Sequence, residues 1–206
     1  MSRYAGPACR LCRREGTKLF LKSERCYTEK CEIEKRNYPP GVHVETRTKM
    51  TEYGIRLREK QRVRKMYGLT ETQFKRFFVE AERMGGITGT NLLVLLERRL
   101  DNMVYRMGFA GSRREARQLV SHRHIKVNGK KVNVPSFLVN EGDAIEVANK
   151  SLPSVRNSLE SVVRRGIPSW LELDKEEARG KVKLLPARDD ITLPIKEQLI
   201  VEYYSR

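Results

Sequence analysis

The apolar positions of this chain fall mostly at helical spacing. Phe74, Phe77, Phe78 and Ala81 stand at i, i+3, i+4 and i+7, which gives one apolar face of a helix. Thr70 and Gln73 ahead of them form a capping box, and Gly85-Gly86 stops the run. Leu92, Leu96, Leu100, Met103 and Met107 predict one further helix, capped by Thr90 and ended by Gly108. Another opens at Ser112, where Glu115 completes a second capping box and Ala116, Leu119 and Val120 form a narrow inner face. The period then changes. Ile125-Lys126-Val127 and Lys130-Lys131-Val132 flank Asn128-Gly129, the strongest short hairpin signal. Residues 144–148 read as a strand after the Asn140-Glu141-Gly142-Asp143 turn. Val155, Leu159, Val162 and Val163 mark an amphipathic helix stopped by Gly166 and Pro168. Residues 170–173 and 181–184 suit a strand pair, with Trp170 in the core, and Ile195, Leu199 and Tyr203 support a C-terminal helix packed on an earlier one.

Charge changes the picture. The 206 residues carry a net charge of +16, which points to a polyanionic partner. Residues 1–150 hold 32 Lys/Arg against 17 Asp/Glu, and residues 151–206 hold 10 against 9, so the basic surface belongs to the first three quarters. Two stretches concentrate it. Residues 47–65 contain eight Lys/Arg (Arg47, Lys49, Arg56, Arg58, Lys60, Arg62, Arg64 and Lys65) against Glu52 and Glu59, and read as a helix that tracks phosphates. Residues 106–131 contain eight Lys/Arg against Glu115 alone. There Arg113 and Arg117, and likewise Arg114 and Gln118, are four apart and are expected to project together from the polar side. His122, His124, Lys126, Asn128, Lys130 and Lys131 extend this surface through the turn and hairpin.

The first 45 residues add a possible metal centre. Cys9-x2-Cys12 is followed after 13 residues by Cys26-x4-Cys31, two close pairs that suit one tetrahedral zinc ion with four thiolates. An iron–sulfur cluster is the chemical alternative, because it takes the same ligands. Disulfides fit poorly in a basic chain without a leader pattern. Arg10, Arg13, Arg14, Lys18, Lys22 and Arg25 surround the cysteines and suit both thiolates and RNA. Tyr38-Pro39-Pro40-Gly41 is a stiff linker with His43 just beyond.

These features give an α+β chain in three parts. A metal-binding arm covers 1–45. A helical domain covers 46–97 and is completed by 192–206. An RNA-binding module of helices and short, mostly antiparallel strands covers 98–191. The longest clean apolar run, 92–96, is far too short for a bilayer span, so a membrane role is not expected and the compartment is read as the cytoplasm. An RNA-modifying enzyme would need a catalytic centre. No phosphate-cradling glycine loop, activated nucleophile or plausible acidic pair stands out, and Asp189-Asp190 reads as an exposed turn. A DNA-binding regulator lacks a recognition helix beside the cysteines, and no dimerisation heptads appear.

The residues also resemble a known family. Arg3-Tyr4-x-Gly6-Pro7, Cys9-Arg10-x-Cys12-Arg13-Arg14-Glu15-Gly16, Pro39-Pro40-Gly41-x-His43, Leu57-Arg58-Glu59-Lys60-Gln61, residues 99–106 and 112–129, and the final Tyr204-Ser205-Arg206 are similar to bacterial small-subunit ribosomal protein four, in its four-cysteine form. The resemblance spans essentially the whole chain. It implies a non-catalytic primary binder of small-subunit ribosomal RNA at a multi-helix junction of the 5′ domain. It further implies a role in nucleating assembly of the subunit body and in translational accuracy. Small-subunit proteins five and twelve would be neighbours, beside the path by which mRNA enters. Arg3, Tyr4, Arg13 and Arg14 join the expected RNA contacts.

Overall fold

A computed structural model describes residues 4–41, 49–149 and 152–205, without the side chains of 161–165. Two compact units divide the chain, residues 1–92 with 193–206 and residues 93–192. In chain order the helices are α1 (Ala8–Glu15), α2 (Glu32–Lys35), α3 (Glu52–Met66), α4 (Glu71–Arg83), α5 (Thr88–Glu97), α6 (Leu100–Arg106), α7 (Arg113–Ser121), α8 (Pro153–Arg165) and α9 (Glu197–Tyr204). The strands are β1 (Ile125–Val127), β2 (Lys130–Lys131), β3 (Ala144–Val147), β4 (Leu171–Asp174) and β5 (Arg179–Val182). The α+β class read from the sequence is the class observed.

In the first unit, α4 buries Phe74, Phe77, Phe78 and Ala81, the predicted stripe. Each buried phenylalanine contributes about 2–3 kcal/mol of apolar transfer. Thr70 caps the helix by accepting from the Gln73 amide at 3.5 Å. The reciprocal half of the box is not made, because the Gln73 side-chain oxygen is buried without a hydrogen-bond donor. The C-terminal helix α9 packs along α3, as the amphipathic tail predicts. Its buried residue is Ile200, while Leu199 and Tyr203 are only half-buried. The Lys196 amide donates to Glu59 at 3.0 Å, which ties the entrance of α9 to α3.

The single helix predicted between Thr90 and Gly108 is two. The first begins at Thr88, so Thr90 lies inside it and is not the cap. The break is at Arg99, which is extended (φ −63°, ψ 136°) and bridges to Leu138. The loop around Leu138 then satisfies the first amides of α6: Leu100 N–H donates to Phe137 O at 2.9 Å and Asp101 N–H to Pro135 O at 3.2 Å. The Arg99 guanidinium folds back onto Asp101 in a bidentate pair, 3.1 and 2.7 Å, with both side chains buried. A buried charge pair and a strand-like bridge therefore override a periodicity that would continue the helix.

The sheet has the order β2-β1-β3-β5-β4, antiparallel throughout. Asn128 (φ 49°) and Gly129 (φ 77°) turn the β1–β2 hairpin with both residues left-handed, the type I′ geometry that Asn-Gly favours. The second strand of the C-terminal pair starts at Arg179, two residues ahead of the predicted 181. Its pairing with β3 sets this register, Ala144 opposite Lys181 and Ile145 opposite Gly180. Trp170 and Val155 join the core beneath the sheet, as predicted.

Candidate nucleic-acid interface

Helix α7 starts where the sequence predicts. Ser112 accepts from the Glu115 amide at 3.3 Å, and Glu115 reaches back to the Gly111 amide at 2.8 Å, one residue before the cap. Ala116, Leu119 and Val120 are buried. The polar residues do not share one face. Arg114 and Gln118 are exposed, whereas Arg113 is half-buried and Arg117 is buried. Arg113 donates to Asn102 Oδ1 at 2.8 Å and lies 4.5 Å over the Tyr105 ring. Arg117 stands 3.7 Å from Asp101. Behind them, Glu97 is fully buried and accepts from Arg106 at 2.9 and 2.7 Å and from Asn102 at 2.7 Å. Two of the four predicted contacts on α7 thus brace the helix, and two face outward.

The turn and hairpin divide in the same way. His122, Arg123, Lys130 and Lys131 are exposed, and His124 and Lys126 are half-buried. Asn128 is exposed, but its side chain is committed. Its amide donates to Asp143 Oδ1 at 2.8 Å, and its oxygen accepts from the Ala144 amide at 2.9 Å. Lys126 sits directly across from Lys131 on one side and Glu146 on the other. Glu146 is paired with Arg179 at 3.1 Å. The row Lys131–Lys126–Glu146–Arg179 therefore leaves its positive excess at the β1–β2 edge.

Helix α3 differs from the sequence expectation. Each cation predicted to track phosphate along it meets an acid of the chain. Lys60 is buried, pairs with Glu71 at 2.7 Å and lies 4.6 Å over the Tyr203 ring. Lys65 and Arg58 converge on the buried Glu15 of α1 at 2.5 and 3.4 Å. Arg64 pairs with Glu71 at 3.3 Å, Arg62 with Glu59 at 3.5 Å, and Arg56 with Glu202 at 2.5 Å and Glu52 at 3.3 Å. These side chains support the helical packing, and Lys60 is removed from the surface altogether. Burial pushes the Glu71 carboxyl up, but hydrogen bonds from Lys60 and Tyr204 and the charges of Lys60 and Arg64 outweigh it and hold the group below its ordinary value. Burial and the same hydrogen bond push the Tyr204 phenol well up.

In the N-terminal segment, Arg13 holds the linker. It donates to Tyr38 O at 2.9 Å and Pro39 O at 3.4 Å, with its guanidinium 4.6 Å over the Tyr38 ring. Arg14, Tyr4 and Lys49 are exposed; Arg3, Arg47 and His43 lie outside the described residues. Cys9 and Cys12 share helix α1, and all four cysteines are free thiols, three of them buried. Burial pushes the Cys12 thiol up to about 11, with smaller contributions from the neighbouring Cys26, Cys9 and Cys31 and an opposing backbone hydrogen bond from Leu19. The donor chemistry thus suits a thiophilic cation, and each of the other three thiols is near enough to act on Cys12. Among the described residues, however, no three His, Cys, Asp or Glu side chains are gathered as a ligating set.

The comparisons agree with this geometry. Residues 3–97 match the family described as "Ribosomal protein S4/S9 N-terminal domain" and residues 98–145 match the "S4 domain". The fold and its basic hairpin thus define an S4-domain protein of the ribosomal class. Over 208 aligned positions the chain is 62% identical to small ribosomal subunit protein uS4 of Geotalea daltonii and 60% identical to that of Geobacter sulfurreducens, each alignment covering 100% of both chains. The uS4 of Syntrophus aciditrophicus is 60% identical, again over 100% of both. The chain belongs to the small ribosomal subunit protein uS4 family. Among the described residues, no helix is long and apolar enough to cross a membrane.

Sequence reasoning missed Arg123, which is exposed and left-handed at φ 63°. The only local signal is the absence of a glycine after the α7 pattern.

Proposed function

We propose that this chain is a structural, non-catalytic component of the small ribosomal subunit in the cytoplasm, where it binds small-subunit ribosomal RNA. Full-length identity of 60–62% to uS4 proteins carries this reading. The exposed Arg114, Gln118, His122, Lys130 and Lys131 supply the chemistry. Lys and Arg neutralise phosphates and release counterions, and a rigid surface reads the shape of a folded RNA junction. The finer assignment follows the family resemblance: a 5′-domain junction as the site, nucleation of body assembly, proteins five and twelve as neighbours, mRNA nearby, and a contribution to translational accuracy. Chemical footprinting of small-subunit ribosomal RNA tests it, with protection expected at one multi-helix junction. Binding no tighter than to an unrelated structured RNA at equal salt overturns it.

Within this reading, Cys9, Cys12, Cys26 and Cys31 hold one metal ion, zinc in preference to an iron–sulfur cluster. Four free thiols in one segment, three of them buried, support this. The ion would cross-link the segment around α1 and α2, where few apolar side chains are buried. Native mass spectrometry should show one zinc per chain, lost with a chelator together with protease resistance of residues 1–45. A metal-free chain with the same protease resistance defeats the metal assignment and leaves the RNA reading intact.

A further inference from the structure

Asn128-Gly129, which turns the β1–β2 hairpin, is the only Asn-Gly step in the sequence. Such a step is open to self-cleavage of its side-chain amide, because glycine has no side chain to keep its nitrogen away from the carboxamide. The Gly129 nitrogen attacks Asn128 Cγ and gives up its proton, the Cγ–Nδ2 bond breaks, and ammonia leaves. Water then opens the cyclic imide at either carbonyl. The product is aspartate, or isoaspartate with the main chain running through Cγ. One water enters, one ammonia leaves, and nothing is oxidised or reduced. Both residues are exposed to water. Apart from its chain neighbours, no atom lies within 4 Å of where a Gly129 Cβ would stand. Neither solvent access nor space hinders the reaction.

The hold on the side chain does hinder it. Asn128 Nδ2 donates to Asp143 Oδ1 at 2.8 Å, and Asn128 Oδ1 accepts from the Ala144 amide at 2.9 Å. The Asn128 backbone amide donates to Ala144 O at 2.9 Å, so the whole residue is tied to the entrance of β3. Asp143 is itself fixed. Its Oδ2 accepts from the Asn140 amide at 2.8 Å, and its carbonyl accepts from the Val182 amide at 3.0 Å. Attack needs the carboxamide free to turn Cγ into line with the Gly129 nitrogen, and two hydrogen bonds oppose that turn. The Asp143 carboxylate also disfavours the negative charge that develops on the reacting atoms. The Ala144 amide polarises the carbonyl in the opposite sense, but that bond is lost once the carboxamide turns. No other residue type serves here as well. An aspartate at 128 would set two carboxylates against each other, and a glycine would make neither bond.

We propose that Asn128 is a latent deamidation site, and that the Asp143 carboxylate and the Ala144 amide form the clamp that keeps it an amide. Reaction at this site releases the clamp. An aspartate product repels Asp143, and an isoaspartate product adds a backbone carbon to a two-residue turn, so either one unties the hairpin from β3. The clamp acts in the free protein, whatever the hairpin binds.

The test ages the full chain at neutral pH, well below its unfolding temperature. Mass spectrometry follows the amide-to-acid change in the tryptic peptide 127–130, which Lys126 and Lys130 delimit. The native chain should deamidate about tenfold more slowly than the same chain in guanidinium chloride, and Asp143→Ala should lose most of that protection. Equal rates in the native and unfolded chains overturn the proposal, as does an Asp143→Ala protein that stays as slow as the wild type. A second pair of variants reads the clamp directly, and decides alone if Asp143→Ala does not fold. Asn128→Asp should lower the thermal midpoint at neutral pH, because two carboxylates then meet. Adding Asp143→Asn exchanges donor and acceptor. The amide at 143 then donates to the carboxylate at 128, and the Asn140 and Ala144 amides keep their acceptors. The double variant should recover most of the lost midpoint. An Asn128→Asp midpoint equal to that of the wild type, or a double variant no more stable than Asn128→Asp, shows that the two side chains do not hold each other and overturns the clamp.

Discussion

Helix α3 and the α7–hairpin segment have nearly the same composition and opposite fates. Each stretch carries eight Lys or Arg with few acids nearby in sequence. On α3 the cations from Arg56 to Lys65 meet Glu15, Glu52, Glu59, Glu71 or Glu202. Each of those charges has an acidic partner within the protein. On α7 and the hairpin, two arginines turn inward to Asn102 and Asp101, while Arg114, Arg123, Lys130 and Lys131 stay at the surface. A window count of charge therefore measures what a helix carries, not what it presents. Which charges remain for a partner is decided by acids far away in the chain.

The sharpest way to break the contrast is Glu97→Ala. Glu97 is buried and bonded to Arg106 and Asn102, and Asn102 holds Arg113. Removing it strands the mostly buried Arg106 guanidinium and takes an acceptor from Asn102, so unfolding stability should fall by about 3–5 kcal/mol. Chemical denaturation reads this directly, and a loss under about 1 kcal/mol would mean the network does not brace α7. Lys60→Ala comes next. It leaves a gap under Tyr203 and removes the 2.7 Å bond to Glu71, which keeps only Arg64 and Tyr204 as partners, and a loss of about 2–3 kcal/mol is expected. Its salt slope for RNA binding should stay that of the wild type; a slope lowered by one would return Lys60 to the phosphate contacts.

These two cases show what was legible in the sequence. The Asn128-Gly129 hairpin, the Ser112 and Thr70 caps and the phenylalanine stripe depend on neighbours within a few residues, and the sequence reading finds them. The break at Arg99 depends on Leu138, and the neutralisation of Arg56 depends on Glu202. The extended conformation of Arg99 and the left-handed one of Arg123 are backbone states that residue type alone disfavours or leaves open. Of the candidate contacts, exposure supports Tyr4, Arg14, Lys49, Arg114, Gln118, His122, Lys130 and Lys131. Arg113, Arg117, Asn128 and Lys60 have internal partners that no local pattern announces.

A smaller effect should come from Arg114→Ala. Arg114 is exposed on the outer side of α7, so stability should stay within about 0.5 kcal/mol of wild type. Affinity for small-subunit RNA should drop about tenfold at 0.1 M salt, with the slope reduced by about one. Filter binding over a salt series checks it. An Arg114→Ala slope equal to wild type, beside an Arg64→Ala slope that falls, would invert the comparison between the two helices.

The smallest predicted effect concerns pH and belongs to α3 alone. Glu71 accepts from Lys60 and from the Tyr204 hydroxyl at 2.9 Å. Burial pushes its carboxyl up, and these bonds with the charge of Arg64 bring it below the ordinary 4.5. A depressed carboxyl contributes stability that is present above its unfolded value and is lost as pH falls through the folded value. The contribution should therefore be complete at pH 7 and decline below about pH 4.5. Its side chain is 44% exposed, so solvent screening should keep the total below about 1 kcal/mol. The gap in denaturation midpoint between wild type and Glu71→Gln should close on acidification, because a protonated Glu71 resembles the amide. Tyr204→Phe should narrow the same gap at neutral pH, since one of the two bonds that lower Glu71 is gone. A gap that stays constant from pH 7 to below 4 would show that the carboxylate charge is not what joins α3 to α4 and α9, leaving the packing of Phe74, Phe78 and Tyr204 to do so.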